Sequence, residues 1–299
     1  MSVDMSVETP TWFSQAIATP KQIRSVNVDN CDIVYQSWGD PNKPGLLLVH
    51  GNGAHAGWWD FIAPSFIDRF YVAALNLSGM GDSGHRERYT PDLFVAEVMA
   101  VCADVGFATQ PLLLGHSFGG RLAFHALKSH RGKIAGVIMA DSPFHNDNHL
   151  KRFSTRRTAA KPNKIYPSFN QALARFRLSP AQPCDNNFIM RYIGERSIQQ
   201  TSEGWTWKFD PKVWAEFDYL GFLSGRPERG DNILALIYGE DSILFSDGNL
   251  DYNRGLFNQL ELPELIGIAN AYHHLLLDQP LNFIAVINQL LTAHLKQSS

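Results

Sequence analysis

Leu112-Leu113-Leu114-Gly115-His116-Ser117-Phe118-Gly119-Gly120 joins a short, wholly apolar run to a serine set between glycines, and a helical pattern follows at once. An apolar run of this length without alternation reads as a strand buried on both faces. A G-x-S-x-G motif between such a strand and a helix makes a sharp turn. Glycines stand on either side of it where a Cβ would collide with the neighbouring strand and helix. The turn lifts the Ser117 hydroxyl clear of the sheet, where it can act as a nucleophile. An isolated G-x-S-x-G is weak; the strand before it and the helix after it make this one specific.

Working outward, further apolar runs appear at Leu46–Val49, Val72–Leu75, Ile134–Met139, Ile233–Tyr238 and Leu265–Ile268, most of them followed by a helix-length segment. This alternation predicts an α/β fold with a mostly parallel central sheet. Helices are expected over Pro91–Val105, Gly119–Lys128 and Pro280–Leu295. Before the first run, Ile23–Val28 and Asp32–Trp38 alternate apolar and polar residues around Asp29-Asn30, the signal of an antiparallel hairpin. Between Ser142 and Gly230 the alternation stops. That stretch is rich in Arg, Pro and aromatics without an obvious buried strand, and reads as an inserted, mainly helical cap. Asp210-Pro211 there reads as an N-cap and first-turn proline opening a helix over Val213–Leu223 that carries Trp214, Phe217, Tyr219 and Phe222. The division is therefore a core of residues 1–141 and 231–299 and a cap of residues 142–230.

With these elements in order, the chain resembles the α/β-hydrolase family, and the resemblance covers most of the chain outside the cap. It implies a serine hydrolase. It further implies that the backbone N–H of Phe118 forms half of an oxyanion hole and that the amide of Asn52, in the HG-x-like loop His50-Gly51-Asn52-Gly53, forms the other half. The turn Ser78-Gly79-Met80-Gly81-Asp82-Ser83-Gly84 resembles the family's G-x-G-x-S loop and reads as structural. It lacks the Gly-Lys of a phosphate loop.

A serine hydroxyl needs a base to take its proton, and eleven histidines compete for that role. The segment Ala271-Tyr272-His273-His274-Leu275-Leu276-Leu277-Asp278-Gln279-Pro280 resembles the family motif G-H-x-x-x-x-[DE]-x-P. It selects His273, with Tyr272 in place of the usual glycine and His274 as a rival. The acid is open between two positions. The usual G-x-x-D site after Ile237-Tyr238-Gly239-Glu240-Asp241 holds Ser242, so either Asp241 serves or the acid lies at Asp141, at the end of the run before the cap. Asp141 is favoured, because a one-residue slip turns a side chain away from its target. Capping the turn into the cap is the plainer role for Asp141.

Trp205, Trp207 and Trp214 in the cap are candidate substrate contacts and favour an apolar acyl or aryl ester, although aromatics more often fill a core. The cap carries an excess of Lys and Arg and the rest an excess of Asp and Glu. Lys151-Arg152 and Arg156-Arg157 are candidates for drawing carboxylated substrates, beside the ordinary reading as solvated charge. His145 and His149 read as a polar loop rather than a metal site. No cofactor and no metal is expected.

The function so read is cleavage of a carboxylic ester or related acyl bond. Carbon–carbon bond hydrolysis and a non-catalytic binding protein of the same fold are the alternatives. The loop His50-Gly51-Asn52 also resembles haloalkane dehalogenases, whose chemistry needs an aspartate where this chain has Ser117. At 299 residues and 44% hydrophobic content the chain can bury a large core. A net charge of -3 offers no general attraction to nucleic acid. No apolar run reaches the length of a membrane span, so no membrane partner is expected. The acidic N-terminus lacks the pattern of a signal peptide, and the three cysteines form no CxxC pair, which together suggest a cytoplasmic protein. Composition says nothing of its oligomeric state.

Overall fold

A computed structural model of the chain describes residues 8–154, 161–214 and 217–298. The strands are β1 (Gln22–Val28), β2 (Cys31–Trp38), β3 (Gly45–Val49), β4 (Tyr71–Leu75), β5 (Leu112–His116), β6 (Gly136–Ala140), β7 (Ile198–Thr201), β8 (Gly204–Trp207), β9 (Ile233–Gly239) and β10 (Ile266–Ile268). The helices are α1 (Thr11–Ile17), α2 (Pro91–Val105), α3 (Phe118–Ser129), α4 (Asp147–Ser154), α5 (Phe169–Leu173), α6 (Asn187–Arg196), α7 (Tyr219–Ser224), α8 (Asn249–Leu260), α9 (Leu275–Asp278) and α10 (Pro280–Ser298).

Eight strands form one sheet in the order β1-β2-β4-β3-β5-β6-β9-β10. The pairs β1/β2 and β2/β4 are antiparallel, and β4/β3, β3/β5, β5/β6, β6/β9 and β9/β10 are parallel. Every residue of β3, β4, β5 and β6 is buried, as expected of parallel strands covered on both faces. The first hairpin turns through Asp29 and Asn30 at φ 46° and 58°, the paired left-handed residues of a type I′ turn, whose twist matches the strands it joins. In α2, Thr90 accepts the Leu93 N–H at 3.2 Å, Pro91 takes the first helical position, and Gly106 closes the helix at φ 71°.

The stretch between β6 and β9 departs from expectation in two ways. It contains an antiparallel hairpin, β7/β8, joined by a bridge between Tyr166 and Trp205. Its first strand, Ile-Gln-Gln-Thr, has one buried residue, so it lacks the hydrophobic alternation that would have revealed it. The helix expected over Val213–Leu223 is not one element. Asp210 accepts the Lys212 N–H at 2.9 Å and opens only a 3₁₀ turn, Pro211–Trp214. Asp218 then caps a separate helix, α7, by accepting the Gly221 N–H at 2.9 Å. Residues 215 and 216, inside the expected helix, lie outside the described residues, as do Arg156 and Arg157. No described helix is long and apolar enough to cross a membrane.

The β5–α3 turn is a tight junction of backbone on backbone. A Cβ on Gly115 would fall 2.2 Å from the Gly119 carbonyl oxygen, and one on Gly119 would fall 2.3 Å from that of Val49 and 2.4 Å from that of His50. These neighbours are backbone and have no rotamer by which to yield. Gly255 in α8, by contrast, has nothing within 4 Å of its built Cβ. In urea unfolding followed by tryptophan fluorescence, Gly119→Ala is expected to lose ~1–3 kcal/mol or more through overpacking. Gly255→Ala is expected to gain ~0.5–1 kcal/mol through helix propensity.

Candidate active site

Ser117 stands at the tip of the β5–α3 turn with φ 54° and ψ -118°, a conformation costly for a residue with a Cβ. Ser117 is half-buried, and its N–H donates to the Ala140 carbonyl at 2.8 Å, which ties the tip to the end of β6. Phe118 is the first residue of α3, and the first N–H groups of a helix have no acceptor within it, so this amide is a natural donor to an anion. Asn52 is exposed in the loop after β3, next to Gly53 at φ 65°. His50 shapes that loop from inside: its Nδ1–H donates to the Gly51 carbonyl at 2.7 Å, and its Nε2 accepts the Leu77 N–H at 3.1 Å.

Of the two carboxylates left open by the sequence, Asp141 is the one beside His273. Its Oδ2 lies 2.7 Å from His273 Nδ1, and Asp141 is fully buried, with His273 4% exposed. Asp141 follows β6 immediately and takes φ 45°, a second strained residue at the same sheet edge. Its Oδ1 accepts the Gly239 N–H at 2.9 Å, and its Oδ2 also accepts the Ser242 hydroxyl at 2.6 Å. Asp241 is exposed, and its amide donates to the Ala271 carbonyl at 3.0 Å. The two histidines of the motif are likewise separated. His274 Nδ1 lies 2.7 Å from Gln182 Oε1, and the Gln182 amide in turn donates to both oxygens of Asp278 at 3.0 and 2.9 Å. Tyr272, in place of the usual glycine, has its N–H bonded to Asp278 Oδ2 at 2.8 Å.

Three contributors had no sequence signal. Ser242 stood out only as a missing acid, yet its hydroxyl donates to the Asp141 carboxylate. His116 Nε2–H donates to the His273 carbonyl at 2.9 Å with the rings 4.9 Å apart, which fastens the histidine loop to the serine turn. Arg121, one turn into α3, is buried and donates to the Phe222, Leu223 and Gly225 carbonyls at the C-terminal end of α7. Its guanidinium also lies 4.6 Å from the Phe144 ring centroid. Carbonyls and ring faces, not a carboxylate, offset this charge, and burial draws Arg121 down to about 9.

A cavity of about 380 Å³ has Asn52, Trp58, Trp207, Trp214 and His274 in its lining, whereas Ser117, Phe118 and His273 are not among its lining residues. Trp214 also rests edge-on against Phe118, with centroids 5.8 Å apart. Trp205 packs instead on Phe169 at 5.2 Å, in a small separate cluster. His145 and His149 have ring centroids 6.1 Å apart, and no group of three or more His, Cys, Asp or Glu suited to a metal ion occurs among the described residues.

Residues 46–286 match the model of the alpha/beta hydrolase family, and the chain belongs to that family. Epoxide hydrolase 4 of Homo sapiens is 26% identical over 286 residues, covering 89% of this chain and 76% of the relative; the match to the Mus musculus protein of that name is 29% identical but spans 36% of this chain and 31% of the relative. A serine hydrolase-like protein of Mus musculus is 32% identical over 56% of this chain and 57% of its own length. Among solved structures, E-2-(acetamidomethylene)succinate hydrolase superposes with a TM-score of 0.73 at 18% identity, over 91% of this chain and all of that one, a likeness of fold.

Several buried imidazoles are held neutral. Burial lowers His50, His116 and His145 to about 3 and His55 to about 4, and pushes His274 well below its usual value. Asp278 is raised to about 6, again chiefly by burial. The signs oppose. A histidine kept neutral in the fold contributes full stability above ~6.5 and loses it as the unfolded chain takes up protons below that pH, by up to ~1.4 kcal/mol per pH unit per group. Asp278 holds a proton better folded than unfolded, so between its unfolded value near 3.8 and about 6 its contribution grows as pH falls. The histidines outnumber it and are shifted further. Unfolding free energy measured at pH 7, 6 and 5 is expected to fall steeply, and His116→Gln is expected to flatten that slope by about one proton.

Proposed function

We propose that this chain is a serine hydrolase that cleaves a carboxylic ester or related acyl bond through Ser117, His273 and Asp141. The observation that carries the reading is the fully buried Asp141 carboxylate 2.7 Å from His273 Nδ1, on the sheet edge where the strained Ser117 turn emerges. The carboxylate accepts the Nδ1–H and so fixes the tautomer that leaves Nε2 free to accept a proton.

In the reaction, His273 Nε2 takes the Ser117 hydroxyl proton as Oγ attacks the substrate carbonyl carbon. The Phe118 and Asn52 amides stabilise the charge that develops on the carbonyl oxygen. Collapse of the tetrahedral species breaks the acyl–oxygen bond, and the proton held on His273 goes to the departing alcohol. Water, deprotonated by the same imidazole, then releases the acid and restores Ser117. Residues 142–230 act as a cap over a core of 1–141 and 231–299, and Trp207 and Trp214 contact the apolar part of the substrate.

The nucleophile argues for acyl transfer over epoxide opening. A carboxylate that opens an epoxide leaves an ester that water can cleave, whereas a serine hydroxyl would leave an ether that this site has no means to hydrolyse.

Mass spectrometry after a fluorophosphonate, paired with p-nitrophenyl ester turnover, tests the assignment. The adduct is expected on Ser117. Ser117→Ala is expected to lower kcat/KM by ~10⁴-fold or more and Asp141→Asn by ~10³–10⁴-fold, with Asp241→Asn close to wild type. An unlabelled Ser117 would favour a binding protein of this fold, and loss confined to Asp241→Asn would move the acid.

A further inference from the structure

The cavity beside Asn52 has an electrostatic character that an ester pocket does not require. Arg175, Arg177 and Lys208 line it, and no Asp or Glu is among its lining residues. The whole chain carries a net charge of -3, so this is a local concentration of cations against the overall balance. Lys208 is paired with Asp82 at the surface. Arg177 has its Nη1 on the Ala174 and Phe176 carbonyls at 3.0 and 2.6 Å, which orients the guanidinium without neutralising it. Arg175 makes no ion pair with any described residue.

Aromatic residues share the lining with these cations. Trp207, Phe209 and Trp214 also line the cavity, Phe209 is stacked on Trp214 at 5.9 Å, and Trp214 reaches Phe118 beside the nucleophile. The lining thus combines Asn52 and His274 with apolar rings and guanidinium groups. A neutral fatty or aryl ester would use the rings and leave the guanidinium groups to water. A substrate with an anionic end would use all three kinds of group: Arg175 and Arg177 are exposed, and planar guanidinium donors bind a carboxylate through paired charge-assisted hydrogen bonds.

We infer that the cavity selects acyl substrates whose end remote from the scissile bond carries a carboxylate, bound by Arg175 and Arg177. The inference rests on the acyl-hydrolase reading for the bond that is cut, while the preference for an anion is a property of binding and can be measured without turnover.

A matched pair isolates the charge: p-nitrophenyl hydrogen suberate and its methyl ester, which share length and leaving group. Isothermal titration into Ser117→Ala protein at low salt is expected to give at least ~10-fold tighter binding of the anion. That preference is expected to vanish in the background of Arg175→Gln with Arg177→Gln and to shrink as salt rises to about 0.5 M. Wild-type protein should show the same order in KM for the two esters. Equal or tighter binding of the methyl ester, absence of binding by either, or a preference unchanged by the two substitutions would overturn the inference. An anion preference in Ser117→Ala protein combined with no turnover by wild type would leave the binding inference standing and sink the hydrolase reading.

Discussion

A carboxylate with no solvent exposure has to be surrounded by donors, because an ion left bare inside a protein costs several kcal/mol. Asp141 meets this requirement with the Gly239 N–H, the Ser242 hydroxyl and His273 Nδ1. Those three donors belong to the end of β9, the turn after it and the loop after β10, so one buried charge fixes the relative positions of three otherwise separate segments. The Asp141 N–H donates to the Ile237 carbonyl at 2.7 Å, which registers the residue against β9 as well. The candidate triad is a consequence of solvating that carboxylate.

The serine turn depends on a second constraint, close approach of backbone to backbone. With Gly115 and Gly119 bare, α3 starts within reach of β3 and β5, and the Ser117 N–H can bond the last carbonyl of β6. His116 then fastens the same turn to the carbonyl of His273. A His116 imidazolium would place a charge among buried groups, and the depressed proton affinity of His116 and His274 follows from that lack of solvent.

Outside this centre, polar groups connect the stretch between β6 and β9 to the core. Arg121 carries a buried charge from α3 to the carbonyls at the end of α7, and the Tyr89 hydroxyl donates to Asp210 at 2.7 Å. Asn186 Nδ2 donates to the Leu277 carbonyl at 2.7 Å, a few residues beyond His273. These bonds tie the stretch between β6 and β9 to α3, to Tyr89 and to the segment that follows His273.

Local pattern was enough to read the α/β alternation, the first hairpin through Asp29-Asn30, helix α2 from its Thr90 cap to Gly106, and the serine turn with its glycines, because each depends on hydrophobic period or on backbone conformations that few residues tolerate. The β7/β8 hairpin escaped because Gln199, Gln200 and Thr201 carry no burial pattern, and the expected helix over Val213–Leu223 failed because Asp218 supplied a second cap that local propensity could not weigh. Ser117, His273 and a short list of carboxylates were set by the sequence alone. Tertiary structure decided which carboxylate faces His273, that Ser242 supports it, and that Arg175 and Arg177 share a cavity with Trp207 and Trp214. Each of those facts depends on groups far apart in the chain meeting in a low-dielectric interior or cavity, and sequence pattern reports only what neighbours along the chain do.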